Sequence, residues 1–519
     1  MNIILYFYNI YYIGDRMRKT KVIFIKNAII LTVTGLLIRF IGMFFRVWLA
    51  GNIGAEGIGL YNQVFSFYML ASAFASTGIN TAVTRMVSEE LSHGGNCIGN
   101  VIYKCIGVTL VIALSTSFLM FFGADFISEK IIDDPRAADS LRTLTIALPF
   151  MGFSSCFKGY FIARKKTAPA STSQIFEQIV RIVLITYLVG SFGSENIGAA
   201  CKWVILGDSI AEICSFIFIY ISYIIDKNRY IVYRGKDKPQ YSVLSRLRHI
   251  ALPITVGRYL NSLLRTAENV LVPRQLEKSG MSGNLALSFF GVIKGMALPL
   301  IFFPASFLNA LSTLLIPEMS EAAATGRDYK VRYTAEKCIH ITLISSLPIA
   351  VIFFYTSAQL GDIVYKEAAA GEVIRYLAPI IPLMYMDSVC DGLLKGLDQQ
   401  FSIFRNSMLD SLGRLGLIML ILPRYGIIGF IFIMYISNFF TCSMNLFRLI
   451  KISKAKVRWY LWFVFPAVSA LTVGTILYII ISKFVFSDLF FTLAFAISTA
   501  LIYLLIVFKF KCITIDDLR

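Results

Sequence analysis

Charged side chains are scarce in this chain of 519 residues, because lysine, arginine, aspartate and glutamate together make up only 15% of it. Soluble domains usually carry about 25% charged residues. Apolar residues make up 57% of the chain, and the mean hydropathy is +0.70. The longest plainly polar stretch, residues 226–248, is too short for a separate catalytic domain. The composition therefore excludes an ordinary water-soluble enzyme.

Sequence motifs that bind cofactors or perform catalysis are also missing. The nine cysteines form no C-x-x-C pair, and the three histidines are isolated. We find no metal-ligand spacing, nucleophile elbow, Walker loop or Rossmann glycine pattern. We therefore predict neither an enzyme nor a bound cofactor or metal. Any transport would draw on the membrane potential or a cation gradient.

Long apolar stretches dominate what is present. About 20 apolar residues are needed for one helix to cross a bilayer, and such stretches recur from residue 22 to residue 510. We count fourteen, which predicts an all-α integral membrane protein with 14 transmembrane helices. Residues 1–13 are too short to span, and Met17 opens a basic segment, so we expect translation to start at Met17.

The placement of basic residues orients these helices. With the N-terminus inside, the cytoplasmic segments hold 31 lysines and arginines and the outer segments hold ten. This asymmetry predicts that both termini are cytoplasmic and that the protein is a multi-pass protein of the plasma membrane. The net charge of +18 then reflects membrane topology and not nucleic-acid binding.

Charged pairs with equal spacing indicate an internal duplication. Two arginines seven residues apart recur at an offset of 219 residues, and an acid–arginine pair four residues apart recurs at an offset of 233. The pairs are Arg39–Arg46 and Arg258–Arg265, and Glu177–Arg181 and Asp410–Arg414. Because six predicted spans separate each pair from its copy, we expect two parallel six-helix repeats that form two lobes around a central cavity.

The predicted organisation has five parts. They are a cytoplasmic N-terminal tail (1–21), an N-terminal lobe of six spans (22–225), a basic cytoplasmic linker (226–248), a C-terminal lobe of six spans (249–450), and two further helices with a C-terminal tail (451–519).

Arginines inside the spans are the main candidates for function, because a charge at mid-membrane costs roughly 2.5–3.5 kcal/mol. Arg39 and Arg46 are two helical turns, or about 10.5 Å, apart on one face, and their span contains no carboxylate. That face needs an acid on another helix, a lining of carbonyl groups or a water-filled cavity. Arg258 and Lys294 would face the same space. A cationic cavity suits an anionic substrate, since arginine binds phosphate through two parallel hydrogen bonds.

A structural role is the alternative for each of these cations. They could pair with Asp208, Glu212, Asp387 or Asp391 and serve folding. We interpret Glu177–Arg181 and Asp410–Arg414 as structural ion pairs, because each pair lies one turn apart on a single helix. Arg265 has a weaker potential partner in Glu268, three residues further on.

Four segments carry a resemblance to a known family. They are Gly51–Tyr61 (GNIGAEGIGLY), Phe176–Arg181 (FEQIVR), Pro299–Pro304 (PLIFFP) and Gly392–Gly396 (GLLKG). In this order they resemble the stage V sporulation protein B-like members of the polysaccharide-transporter family, in the superfamily of lipid II flippases and multidrug and toxin extrusion antiporters.

The resemblance implies a cavity that opens alternately to each side of the membrane. It also implies that basic cavity residues bind the pyrophosphate of a polyprenyl-linked saccharide, and that the last two helices form a groove for the polyprenyl tail. The positions that correspond are Arg39, Arg46 and Arg258, and Lys294 matches less closely. Arg85 is a further candidate, but the excess of basic residues on the cytoplasmic side explains its charge equally well.

The predicted function is flipping of a polyprenyl-pyrophosphate-linked saccharide, a peptidoglycan (lipid II) or polysaccharide precursor, by a monomeric transport unit in cell-wall or spore-cortex biogenesis. One alternative is an organic-cation antiporter of the same fold, which would need an acidic cavity. The other is a membrane-embedded glycosyltransferase or polymerase, for which Asp133 and Asp134 are the best acidic pair.

Overall fold

The computed structural model is helical through almost all of the chain that it describes. It describes the backbone of residues 2–92, 97–193, 196–229, 242–484, 487–510 and 512, and side chains from residue 33 onward except that of Thr77. No strand occurs among these residues. The predicted all-α fold is confirmed.

Seventeen α-helices occur in the described residues. They are α1 (Asn2–Ser92), α2 (Ile98–Phe122), α3 (Ala124–Phe126), α4 (Ala138–Leu144), α5 (Ala147–Ala163), α6 (Ala168–Phe192), α7 (Ile197–Arg229), α8 (Val243–Lys278), α9 (Gly283–Gly291), α10 (Leu298–Ala324), α11 (Asp328–Tyr355), α12 (Ser357–Leu360), α13 (Ala368–Leu377), α14 (Ile381–Gly396), α15 (Gln400–Ser453), α16 (Phe465–Ile481) and α17 (Asp488–Lys509). One π-helical turn, Val292–Ala297, joins α9 to α10, and another, Tyr460–Val464, leads into α16.

Eleven helical stretches of the described chain are long and apolar enough to cross a membrane. Val33–Ser92 covers most of the predicted span 22–50 and all of 58–83, and Gln400–Ser453 covers the predicted spans 403–422 and 426–447. The seventh predicted span, 249–272, falls on α8, which is not among the eleven. The count of fourteen, the repeat layout and the five-part organisation stay predictions. Most of the predicted linker lies outside the described residues.

Glycines with positive φ bend the two longest helices. A straight helix of the 60 residues Val33–Ser92 would be about 90 Å long, three times the thickness of the hydrocarbon layer, which is about 30 Å. Gly54 (φ 70°, ψ 177°) interrupts it, and Gly426 (φ 52°, ψ −130°) interrupts α15. Glycine adopts such angles without the steric cost that a Cβ brings. Gly54 lies between the first two predicted spans (22–50 and 58–83), and Gly426 lies at the first residue of the twelfth (426–447).

Helix α8 packs along the part of α1 that follows Gly54. The contacts run from one end of α8 to the other and consist of hydrogen bonds, a ring contact and an ion pair. They are Gln63 Nε2 to the Asn269 carbonyl (3.5 Å), Thr266 Oγ1 to the Ser66 carbonyl (3.0 Å), the Phe74 and Tyr259 rings (4.2 Å between centroids), and Arg246 to Glu89 (2.8 Å). One face of α8 therefore packs against α1.

Small residues let α9 and the following π-helical turn approach α1 even more closely. Gly59 lies against the Leu287 carbonyl, Gly291 against the Ala55 carbonyl, and Gly295 against the Ile58 side chain. A Cβ on Gly291 would stand 2.8 Å from the Gly59 nitrogen. In the predicted topology this contact lies at the outer side of the membrane, where it joins the two predicted lobes.

We expect Gly291→Val to destabilise the protein, because the added side chain forces α9 away from α1. Overpacking of this kind costs about 1–3 kcal/mol. Gly190→Val is the matched control, since nothing lies within 4 Å of a Cβ built on that helical glycine. Thermal unfolding of the detergent-purified proteins measures the effect. An equal decrease of Tm in both variants would show that the close contact is not needed.

Candidate substrate cavity

One cavity lies between both parts of α1 and helices α6, α7 and α10, and has a volume of about 500 Å³. Three arginines and one aspartate supply its charge, and the rest of the lining is apolar, aromatic or neutral and polar. The charged lining residues are Arg39, Arg46, Arg181 and Asp208. Both arginines predicted from span one therefore share one cavity.

Arg39 and Arg46 are exposed in this cavity and are not neutralised. Neither makes an ion pair or a side-chain hydrogen bond with any residue that the structure describes. An arginine always carries its charge in proteins. Two guanidinium groups are thus available to an anion in the cavity.

Arg181, the third arginine, is bound by acids. Its guanidinium contacts Glu177 and Asp208, both at 2.8 Å. The Tyr61 hydroxyl donates a hydrogen bond to Asp208 at 3.1 Å, and Lys158 lies 4.0 Å from Glu177. The Glu177–Arg181 contact thus extends to α5 and α7, and Asp208 forms its ion pair with Arg181 and not with Arg39 or Arg46.

The second cavity is larger, about 1010 Å³, and lies between α8, α10, α14 and α15. Arg258 and Arg265 are exposed along one side of it. Across the described residues neither of them makes an ion pair or a side-chain hydrogen bond. A second pair of arginines, with the spacing of the first, is therefore available in this cavity.

Lys294 lines the second cavity but is paired. Its ammonium group donates a hydrogen bond to Glu268 at 2.9 Å, and Glu268, with 7% of its side chain exposed, also contacts Arg414 at 3.4 Å. Arg414 continues to Asp410 at 2.5 Å. The contact considered between Arg265 and Glu268 is absent from the described structure, because Glu268 binds Lys294 and Arg414 instead.

The remaining acids of the second cavity contact an amide. Asn445 donates hydrogen bonds to Asp387 at 2.9 Å and to Asp391 at 3.2 Å, and its carbonyl oxygen accepts one from Asn406 at 2.9 Å. Lys395 lies 4.0 Å from Asp391. The acids considered as partners for Arg258 are therefore engaged elsewhere in the structure.

Phe302 of α10 lines both cavities. The side chains expected to share one space therefore line two neighbouring cavities, Arg39 and Arg46 the first and Arg258 and Lys294 the second. Thr266 and Tyr259 of α8 contact α1, whereas Arg258 and Arg265 line the cavity shared with α14 and α15.

Arg85 lines neither cavity. It is 61% exposed and pairs with Glu89 at 3.2 Å. Glu89 also binds Arg246 of α8 at 2.8 Å. Arg85 belongs to the contact between α1 and α8, where it cannot reach a ligand in either cavity without leaving Glu89.

Arg265 and several amides are lining residues that the sequence reasoning did not assign to the site. The amide side chains are Asn62, Gln178 and Asn309 in the first cavity, and Asn261, Gln400, Asn438 and Asn445 in the second. The signal for Arg265 was available, since the repeat pairs it with Arg46. An amide in an apolar span is a weaker signal, because such a group also serves helix–helix contacts.

The comparisons with known proteins show the family. A family described as polysaccharide biosynthesis protein matches residues 24–302, more than half of the chain. The chain belongs to this family.

Stage V sporulation protein B of Bacillus subtilis (strain 168) is 27% identical over 416 residues, which cover 79% of this chain and 80% of the relative. Lipid II flippase MurJ of the same organism is 20% identical over 72% of this chain and 73% of its own. The resemblance found in the four sequence segments is confirmed.

Solved structures show the same fold at low identity. Lipid II flippase MurJ in its inward closed conformation matches 95% of this family member and 100% of its own chain, with a TM-score of 0.72 and 15% identity. An inward-facing multidrug resistance MATE family transporter of the MOP superfamily covers 82% of this chain, with a TM-score of 0.65 and 13% identity. The protein is therefore a multi-pass membrane protein with a transporter fold.

We expect Glu268→Gln to destabilise this polysaccharide biosynthesis family member, because it leaves Lys294 and Arg414 facing each other without their shared carboxylate. Removing one partner of a buried ion pair costs about 3–5 kcal/mol. Glu318→Gln is the control, since its pair with Lys330 (2.9 Å) is exposed and worth about 1 kcal/mol at most. Thermal unfolding in one detergent compares the two variants. Equal Tm values would mean that Glu268 does not hold the cluster together.

Proposed function

We propose that the protein moves a polyprenyl-pyrophosphate-linked saccharide across the bilayer by alternating access. The observation that carries this proposal is the set of four exposed arginines that form no ion pair with a residue of the described structure. They are Arg39 and Arg46 in the first cavity and Arg258 and Arg265 in the second.

A pyrophosphate fits this arrangement chemically. Each guanidinium can donate two parallel hydrogen bonds to phosphate oxygens, and such charge-assisted bonds are about twice as strong as neutral ones. Amides near the arginines, Asn62 and Asn309 in the first cavity and Asn261 in the second, can bond to sugar hydroxyls. The headgroup would bind among these residues while its polyprenyl chain stays in lipid beside α16 and α17.

Movement of the two lobes would carry the headgroup from one membrane face to the other. The cavities flank Phe302, and in the predicted topology the glycine contacts between α1 and α9 close the outer side. Opening there would require α9 to leave Gly59 and Ala55. Outward movement of a negative headgroup is favoured by a membrane potential, negative inside, by about 2.3 kcal/mol per charge per 100 mV. No cofactor enters this cycle.

The relatives support a cell-wall precursor as the substrate. One carries the name lipid II flippase and another the name stage V sporulation protein B. We therefore propose a peptidoglycan or related polysaccharide precursor, and a role in the cell wall or the spore cortex. The proposed unit is a monomer in the plasma membrane with both termini in the cytoplasm.

The two alternative functions fit the site less well. An organic-cation antiporter needs acidic lining, whereas the two cavities together are lined by eight cationic and four acidic residues. An enzyme built on Asp133 and Asp134 would need two available carboxylates. Asp134 instead accepts hydrogen bonds from the backbone amide of Arg136 at 3.0 Å and from its guanidinium at 2.7 Å. The Asp134 carboxylate therefore stabilises the turn that leads to Arg136.

We expect Arg39→Ala, Arg46→Ala and Arg258→Ala each to reduce flipping of fluorescent lipid II by about tenfold or more in proteoliposomes. Each variant loses hydrogen bonds to a charged group, which are worth about 1.5–3 kcal/mol. Arg327→Ala is the control, because this exposed arginine lines neither cavity. The assay compares the initial rate of lipid II flipping with that of a neutral phospholipid.

Wild-type protein that flips both lipids at the same rate would contradict the proposed substrate. Arginine variants that keep the wild-type rate for lipid II would contradict the site instead. Equal amounts of folded protein, checked by size-exclusion chromatography, make these two results distinguishable from a folding defect.

A further inference from the structure

A third cavity of about 380 Å³ lies apart from both arginine cavities. It is formed by the first turns of α11 and the segment that leads into α16, on the cytoplasmic side of the predicted topology. Its lining combines basic, aromatic and apolar side chains, among them Arg332, Lys337, Lys456, Arg458, Trp462 and Leu461.

The charge of this cavity is strongly positive. Four cationic side chains face one carboxylate, Glu336. Glu336 already accepts hydrogen bonds from Arg332 at 3.0 Å and from the backbone amide of Lys456 at 2.7 Å. Lys337 lies over the Tyr333 ring, and within the described chain neither Lys337 nor Arg458 forms an ion pair. The cavity is therefore suited to an anion.

An apolar cavity of about 350 Å³ adjoins the basic one. It lies between α11 and α17, and His340 lines both cavities. The His340 ring is stacked on Trp462, with 4.8 Å between the centroids, and only 5% of this residue is exposed. Beyond His340 the lining is almost entirely aliphatic, as at Ile344, Pro348 and Leu504.

The two cavities follow each other along α11 and meet at His340. Tyr333 and Lys337 line the basic cavity, and Ile341, Ser345 and Ile349 line the apolar one. The lining contributed by α11 therefore changes from charged to apolar along the helix. The apolar part, from His340 to Ile352, is about 18 Å long, close to the depth of one leaflet, which is half of about 30 Å.

We propose that this crevice is a binding site for an anionic phospholipid of the cytoplasmic leaflet. Its phosphate binds the side chains of Lys337 and Arg458, and an acyl chain lies between α11 and α17. Three features favour this occupant: the excess positive charge, the apolar continuation of leaflet depth, and the negative charge of cytoplasmic leaflets, which attracts basic residues at that surface. The bound lipid would join α11 to α16 and α17. This site is independent of the proposed flipping of saccharide lipids.

Native mass spectrometry of the detergent-purified full chain tests the site with phosphatidylglycerol and phosphatidylcholine of the same acyl chains. We expect wild-type protein to bind phosphatidylglycerol at least tenfold more tightly. The double substitution Lys337→Ala and Arg458→Ala removes this preference. The matched control, Arg327→Ala and Lys451→Ala, removes two exposed cytoplasmic charges outside the cavity and keeps it.

Ser345→Trp tests the apolar part without changing a charge. The indole would fill the space between α11 and α17, so we expect phosphatidylglycerol binding to fall at least fivefold. If the double variant of Lys337 and Arg458 fails to fold, Ser345→Trp and the wild-type preference for phosphatidylglycerol still test the site.

Three results would overturn the site: equal wild-type affinity for the two lipids, an equal loss of preference in both double variants, or unchanged binding by Ser345→Trp. The acidic residues Asp516 and Asp517 follow shortly after Cys512 and lie outside the described residues. A preference for phosphatidylglycerol that emerges only after Asp516→Asn and Asp517→Asn would mean that the chain's own tail occupies the basic cavity, against the proposal.

Discussion

A guanidinium group within the membrane needs either a carboxylate or water, and this requirement organises the protein around its cavities. Arg181 and Arg414 meet the requirement with acids, in clusters that join three or more helices. Arg39 and Arg46 meet it by lining a cavity. The paired arginines connect neighbouring helices. The proposed function assigns the unpaired arginines to the phosphate, because an arginine already bound to a carboxylate has fewer hydrogen bonds to donate to it.

Helix packing decides which arginines face which space. Because α8 uses one face against α1, its Arg258 and Arg265 line a cavity bounded by α14 and α15. Gly59 and Gly291 bring α1 and α9 into close contact at the predicted outer side. The same two helices, α1 and α8, thus carry the unpaired arginines and the main contacts between the predicted lobes. Movement of the lobes would therefore change the surroundings of the arginines directly.

The sequence predicted the helical fold and the cavity location of Arg39 and Arg46, because span length and the absence of carboxylates in span one are local properties. It also predicted the Glu177–Arg181 and Asp410–Arg414 contacts, which need only one helical turn. The partner of Lys294 was not predictable. Glu268 lies on another helix, and its choice of Lys294 and Arg414 over Arg265 depends on how three helices pack. The division of the central space by Phe302 depends on tertiary packing in the same way.

Selective binding of a pyrophosphate by unpaired arginines is the central claim. Its most direct measurement is the affinity of purified protein for undecaprenyl pyrophosphate relative to uncharged undecaprenol, in wild type and in the variant Arg39→Gln, Arg46→Gln, Arg258→Gln and Arg265→Gln. We expect the wild type to prefer the pyrophosphate by at least about a hundredfold, since two charge-assisted contacts of about 1.5–3 kcal/mol each already suffice for this. We expect the variant with all four substitutions to lose this preference. A preference that persists in the folded variant would contradict the assignment of these four arginines.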